Sequence, residues 1–107
     1  MTGHLPEHLA PAGVSPAIAD VWTAYFQAFA RGESDGASDA VTDIAVQEMA
    51  VAASQLAAMP CRSLPDLAAK AQLVLYAQDE IGGLTSAEDA VRTSVLAAVL
   101  VMVEETA

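Results

Sequence analysis

Three aspartates recur every four residues where a second helix is predicted to begin, at Asp35, Asp39 and Asp43. Side chains four residues apart lie on one face of a helix, about 6 Å from each other. Such a row of carboxylates can imitate nucleic-acid phosphates towards a basic protein, or supply oxygens to a divalent cation. Acids at a helix N-terminus also complement the helix macrodipole. We favour this last interpretation, predict no metal site, and keep an acidic interaction face as the alternative.

Other groups that could do chemistry are few. His4 and His8 have the spacing of a helical metal pair, but Pro6 stands between them and would break that helix. Cys61 lies beside Arg62, yet the predicted folded region contains no histidine to serve as its base. No glycine-rich phosphate loop and no Glu-x-x-His pattern occurs. We therefore expect no catalytic residue, no cofactor and no enzymatic activity, and we expect Cys61 to be a small turn residue.

The composition excludes several classes of protein. The 107 residues include 14 acids and 4 bases, a net charge of -10, whereas nucleic-acid binding requires clustered Lys and Arg. A hydrophobic fraction of 54% is too high for a disordered acidic tail, and one cysteine cannot form an internal disulfide. The longest apolar run, residues 95–103, is far shorter than the roughly 20 residues that span a bilayer. We expect a cytoplasmic protein with no direct nucleic-acid partner and no membrane partner.

Apolar side chains recur every three or four residues in four segments, which predicts four helices and no strand. Capping residues precede the segments, and glycine or proline follows the first three. The predicted helices run from Pro16 to Arg31, from a cap at Asp35 or Ser38 to Met59, from Leu64 to Glu80, and from the Thr85–Glu88 capping box to Glu105. Short connections favour antiparallel neighbours. We predict an all-α, antiparallel up-down four-helix bundle over residues 15–107, preceded by an irregular N-terminal arm over residues 1–14.

Each predicted helix has a face that we expect to turn inward. The first has a stripe that includes Trp22, Tyr25, Phe26 and Phe29, which we interpret as the bulky half of the core; a ligand cleft is the alternative. In the third, Asp66 and Lys70 are four residues apart in the order that favours a stabilising pair. The expected inward residues are Val41, Ile44, Ala45, Met49, Ala52, Leu56 and Met59 in the second helix, and Leu67, Ala71, Val74, Leu75 and Gln78 in the third.

The fourth helix is apolar on nearly every side from Val95 onward. A helix of this kind is normally buried all round, but a bundle of four helices cannot enclose any one of them completely. This contiguous apolar surface predicts self-association or a protein partner. The candidate interaction residues are Val95, Leu96, Val99, Leu100, Met102 and Val103.

The stretch from Met49 to Leu75, about a quarter of the chain, resembles small uncharacterised helical proteins of alphaproteobacteria, some of them from prophage-like regions. Ser63 stands where those proteins usually have Thr, and Cys61 where they have Ala. The resemblance implies an all-helical protein of unknown function and brings no catalytic residues with it. The matching residues are Ala58, Met59, Pro60, Ser63, Leu64, Asp66, Leu67, Ala68, Ala69 and Lys70.

Three functions remain open on the sequence alone. We favour a small helical interaction or assembly module that forms a homo-oligomer through its fourth helix. The first alternative is an acidic inhibitor that mimics nucleic acid and binds a basic protein partner through Asp35, Asp39 and Asp43. The second alternative is a small-ligand domain built around the aromatic stripe.

Overall fold

The computed structural model describes residues 12–33, 36 and 38–106, with the backbone alone at residues 80, 81 and 106. This part of the chain is all-α, as predicted, and contains four helices and no strand. Their bounds agree with the sequence to within a few residues. The helices are α1 (Pro16–Glu33), α2 (Asp39–Ala58), α3 (Leu64–Tyr76) and α4 (Ser86–Thr106).

The last turn of the third helical segment differs from the prediction. A π-helical turn, Ala77–Ile81, replaces the expected α-helix up to Glu80. Gly82 then adopts a left-handed conformation with φ 95°, and its N–H donates to the Ala77 carbonyl. A residue without a Cβ suits this conformation, so glycine ends the segment as predicted.

The four helices form an elongated bundle, 52 × 26 × 23 Å, in which sequence neighbours are not always packing neighbours. α1 packs on α2 and α3, while α4 packs on α2 and α3 from the other side. Ser15, which precedes α1, bonds to Asp66 in the first turn of α3. Further along, Trp22 donates to the Ala69 carbonyl over 3.0 Å. α1 and α3 therefore start at the same end of the bundle.

The core combines the aromatic side chains of α1 with small residues on its partners. Trp22, Tyr25 and Phe26 are fully buried, and Tyr76 meets the Phe26 ring edge-on at 5.2 Å. The predicted bulky half of the core is thus confirmed. The buried side chains opposite these rings include Ala52, Ala53, Leu56, Ala69 and Leu73. Small residues let the helices approach closely, since a Cβ added at Gly32 would lie 3.0 Å from the Cβ of Ala45.

The predicted inward face is partly wrong for α2, and in α3 the buried face is rotated relative to the prediction. Ala45, Ala52 and Leu56 are buried as predicted, but Val41 and Ile44, also expected inside, are exposed. Leu75 of α3 and Gln78 of the π-helical turn are exposed, although both were expected inside. The residues that α3 buries are Asp66, Ala69, Lys70, Leu73 and Val74.

Asp66 joins the start of α1 to the start of α3 and is buried, as is Lys70, the partner predicted from their spacing. Its carboxylate accepts from the Ser15 N–H at 2.7 Å, the Ser15 hydroxyl at 2.8 Å and the Arg62 N–H at 3.0 Å. Burial raises the pKa of Asp66, but these hydrogen bonds outweigh that effect and hold the pKa below its usual value. The charged form is thus the one that the fold stabilises.

Glu88 joins the start of α4 to the middle of α1. The Thr85 N–H donates to its carboxylate at 3.0 Å and its own N–H donates to the Thr85 hydroxyl at 3.3 Å, which confirms the predicted capping box. The second carboxylate oxygen accepts the Tyr25 hydroxyl proton. Burial, this hydrogen bond and the Glu88 charge raise the pKa of Tyr25 well above its ordinary value.

Replacing the capping residue Thr85 should lower the stability of the folded protein. We expect Thr85→Ala to lower the free energy of unfolding by about 1 kcal/mol, because the Glu88 N–H loses its acceptor. Urea denaturation followed by circular dichroism measures the difference. Thr93→Ala, on an exposed position of the same helix, is the matched control and should have little effect. Equal losses in both variants would contradict a role for the cap.

The Asp66 contribution should depend on pH. Because the folded-state pKa is lowered, the stabilisation is present above the ordinary aspartate value of about 3.9 and is lost as the pH falls towards the lowered value. We expect Asp66→Asn to be less stable than the natural chain at neutral pH and the difference to shrink in acid. Asp20→Asn, at an exposed position of α1, is the control. A difference that does not change with pH would be inconsistent with this account.

Candidate functional site

The six candidate interaction residues of α4 divide between two sides of the helix. Leu96, Val99, Leu100 and Val103 are exposed and follow one another at spacings of three, one and three residues, which places them on one outward face. We call these four residues the α4 stripe. Val95 and Met102 are half-buried on the side that faces α2 and α3. Four of the six candidate residues therefore form one exposed apolar face.

The acidic face is present in part. Asp39 and Asp43 are exposed in the first two turns of α2, while Asp35 lies outside the described residues, as do His4 and His8. The α2 cap is Ser38, whose hydroxyl accepts from the Val41 N–H at 3.2 Å. Within the part of the chain that the structure describes, no group of three or more metal-binding side chains comes together.

The aromatic stripe is packed rather than open. The exposed fraction of Trp22 and of Tyr25 is 0%, and that of Phe26 is 1%. The Trp22 and Phe26 rings lie 4.5 Å apart and those of Tyr25 and Phe26 lie 5.2 Å apart. A ligand would have to displace these rings from one another, so the geometry gives little support to a cleft at this place.

A cleft of about 520 Å³ lies instead between the second half of α4 and the connection from α2 to α3. Small and apolar side chains form most of its walls, and polar groups that the sequence analysis did not bring together meet at one end. Those polar groups are Cys61 and Arg62 in the connection, Lys70 of α3 and Ser94 of α4. Glu105 lines the cleft from near the end of α4.

Lys70 is the central residue of this cluster. Its Nζ donates to the Met59 carbonyl at 2.5 Å and to the Ser94 hydroxyl at 3.3 Å, and that hydroxyl donates to the Val91 carbonyl at 2.7 Å. Met59 follows α2, which has no basic residue in its last turn. The ammonium of α3 therefore supplies the positive charge that the C-terminal end of a helix dipole favours.

Burial sets the electrostatics of the cluster. With 1% of its surface exposed, Lys70 has a pKa below its usual value because burial disfavours the charged ammonium. The neighbouring Cys61 thiol and the Asp66 carboxylate act in the opposite direction and raise it. Cys61 itself is half-buried and lines the cleft. The arrangement thus places an amine and a thiol in the wall of one cleft.

The sequence contains one signal for this cluster, which is the helical spacing of four residues that α3 and the π-helical turn bury. Asp66, Lys70, Leu73 and Ala77 are spaced by four, three and four residues, which is a helical stripe in its own right. Two of the four residues, Asp66 and Lys70, are charged, and charged residues are usually exposed, so the pattern indicated a solvated surface. Ser94 gave no signal at all, since only packing brings it to Lys70.

Comparisons with protein-family models, with curated proteins and with solved structures find no match to this chain. The resemblance of residues 49–75 to small alphaproteobacterial helical proteins therefore stays a prediction. Among the described helices, none is long and apolar enough to cross a membrane.

Removing the buried ammonium should destabilise the bundle. We expect Lys70→Met to lower the free energy of unfolding by about 1–3 kcal/mol, because it keeps the apolar stem but leaves the Met59 carbonyl without this donor. Arg62→Met removes a more exposed cation from the same cleft and should have a much smaller effect. Chemical denaturation of both variants makes the comparison. A Lys70→Met variant as stable as Arg62→Met would refute the structural role of the ammonium.

Proposed function

We propose that this protein is a self-associating helical assembly module, and that two copies join through the α4 stripe. The observation that carries the proposal is the exposure of four aliphatic side chains on one helix face: Leu96 58%, Val99 38%, Leu100 65% and Val103 58%. Contiguous apolar surface of this kind marks a protein–protein contact more often than scattered exposed residues do. The proposal includes a cytoplasmic location and no enzymatic activity.

The position of the stripe within the fold supports the proposal. Val91 is fully buried, but every described side chain of α4 beyond it is either half-buried or exposed. The N-terminal half of α4 is therefore held by the bundle, while its C-terminal half offers one side to solvent. Leu75, on the neighbouring α3, is 58% exposed and lies with Leu96 along the groove between α3 and α4. A second copy would cover this groove together with the stripe.

The charges at the two ends of the stripe favour an antiparallel pair. Arg92, the base of α4, lies one turn before Leu96, while Glu104 and Glu105 follow Val103 directly. A parallel pair would bring these acids of the two copies together, and like charges repel. An antiparallel pair brings each Arg92 towards the acids of the other copy and also aligns the helix dipoles favourably. Arg92 already forms an ion pair with Asp89, both about half exposed, so it remains accessible from outside.

The alternatives have less support. Asp39 and Asp43 are exposed on α2, but Asp35, the third member of the predicted row, lies outside the described residues. The aromatic side chains that a ligand domain would use are closed in the core. Self-association, by contrast, uses side chains that are already exposed.

The molar mass in solution tests the proposal. We expect sedimentation equilibrium to give twice the 11.0 kDa chain mass, with little dependence on salt, because apolar burial drives the association. Leu96→Glu and Leu100→Glu should each raise the dissociation constant by about tenfold or more, which corresponds to about 1.4 kcal/mol. A natural chain that stays monomeric throughout the accessible concentration range would refute the proposal.

Two matched controls locate the surface. Leu64→Glu and Ile44→Glu introduce the same charge at exposed aliphatic positions outside α4 and should leave the molar mass unchanged. If Ile44→Glu dissociates the dimer and Leu96→Glu does not, the interface lies on α2, and a role for the α4 stripe is contradicted.

Charge reversal tests the orientation of the pair. Arg92→Glu should weaken an antiparallel pair, and combining it with Glu104→Lys and Glu105→Lys should restore the association. Failure of the combined variant to recover, while the natural chain dimerises, would overturn the antiparallel arrangement alone.

A further inference from the structure

The cleft beside the α2–α3 connection holds the chain's single cysteine next to a buried amine, and the assembly function uses neither group. Cys61 is half-buried and lines the cleft, so small molecules can reach its sulfur. Lys70 lines the same cleft, and its side chain interacts with the thiol. With one cysteine in the sequence, an internal disulfide is not available as the product of thiol oxidation.

The bundle holds the amine in place against the connection. Lys70 Nζ donates to the carbonyl of Met59, two residues before Cys61, and to the hydroxyl of Ser94 on α4. These bonds connect α3 to α4 and to the segment that carries the thiol. The amine is therefore held at the same end of the cleft as the segment that carries the thiol.

We propose that Cys61 and Lys70 form a modification site in which a hydroperoxide links the two side chains through a sulfur–nitrogen bond. In the first step the thiol sulfur takes one oxygen from hydrogen peroxide, which gives a sulfenic acid and water. In the second step the lone pair of Lys70 Nζ attacks the sulfenic sulfur. The S–N bond forms, the S–O bond breaks, and the hydroxyl leaves with an amine proton as a second water.

The surroundings favour the second step over further oxidation. A sulfenic acid is known to condense with a backbone nitrogen when one is within reach, and an adjacent amine is a stronger nucleophile than an amide. Burial also lowers the pKa of Lys70, which increases the fraction of amine that carries a lone pair. The linked product is two hydrogens lighter than the reduced protein, and excess thiol reverses it through a mixed disulfide.

Peptide mass spectrometry of the peroxide-treated full chain is the test. The chain is unfolded in acid without reductant and digested with trypsin, which cleaves after Arg31, Arg62 and Arg92. We expect residues 32–62 and 63–92 to appear as one linked species, two hydrogens lighter than their sum, with loss of cleavage at Lys70. Dithiothreitol should restore that cleavage. Cys61 recovered as sulfinic or sulfonic acid, with normal cleavage at Lys70, would overturn the proposal without any variant.

Two variants separate the cross-link from general oxidation. Lys70→Arg keeps a cation and its hydrogen-bond donors but replaces the nucleophilic amine, so Cys61 should then accumulate as a sulfenic acid that dimedone traps. Cys61→Ser should form no linked peptide, although its methionines still gain oxygen. The natural chain should react with dimedone several-fold less than Lys70→Arg. Equal dimedone labelling in the two proteins would contradict capture by the amine.

Discussion

The arrangement of the bundle depends on three charged side chains that are buried where helices begin or end. Asp66 accepts hydrogen bonds from the start of α1, Glu88 from the start of α4 and from Tyr25, and Lys70 donates to the carbonyl that follows α2. A buried charge is costly unless it is hydrogen-bonded. Each of these residues therefore permits one relative position of two helices and penalises the others. They account for the pairing of α1 with α3 and for the position of α4 across the end of α2.

The packing of the core explains why so much apolar surface remains outside. The aromatic side chains of α1 fill the interior, so α2 can contribute only Ala45, Ala52, Ala53 and Leu56 to the buried face. Most of its branched aliphatic side chains are exposed, Ile44 and Val51 among them, whereas Leu56 is buried. The same limit applies to α4, whose Val91 is buried while Leu96 and Leu100 are not. A small domain with one bulky helix has no room for four apolar faces, and this is the physical basis of the proposed association.

The stripe and the cleft lie on different sides of the same half of α4. Met102 and Ala98 line the cleft, whereas Leu100 and Val103 face outward. A second copy on the stripe would therefore leave the opening beside Cys61 accessible. A link between Cys61 and Lys70 would tie the α2–α3 connection to α3 and, through Ser94, to α4. The proposed assembly and the proposed oxidation would therefore involve different surfaces of the protein.

The sequence by itself determined the helices, because their signals are local. Ser38 and Ser63 cap their helices, Thr85 and Glu88 form the capping box, and Gly82 adopts the left-handed conformation that ends the third segment. The buried aromatic residues were also predictable, since a stripe of large rings has few other uses. These features depend on residues at most a few positions apart in the chain.

Only the tertiary structure decided which faces meet. The spacing of Asp66 and Lys70 indicated a pair within α3, yet both are buried and bond to Ser15 and Ser94, which are distant in the sequence. The cluster of Cys61, Lys70 and Ser94 could not be predicted for the same reason, because Ser94 is distant from the other two residues in the sequence. The tertiary structure also decided that Val95 and Met102 turn towards the bundle while Leu96 and Leu100 do not. The spacing of residues in a helix shows which of them share a face, but the packing of the other helices decides which face is buried.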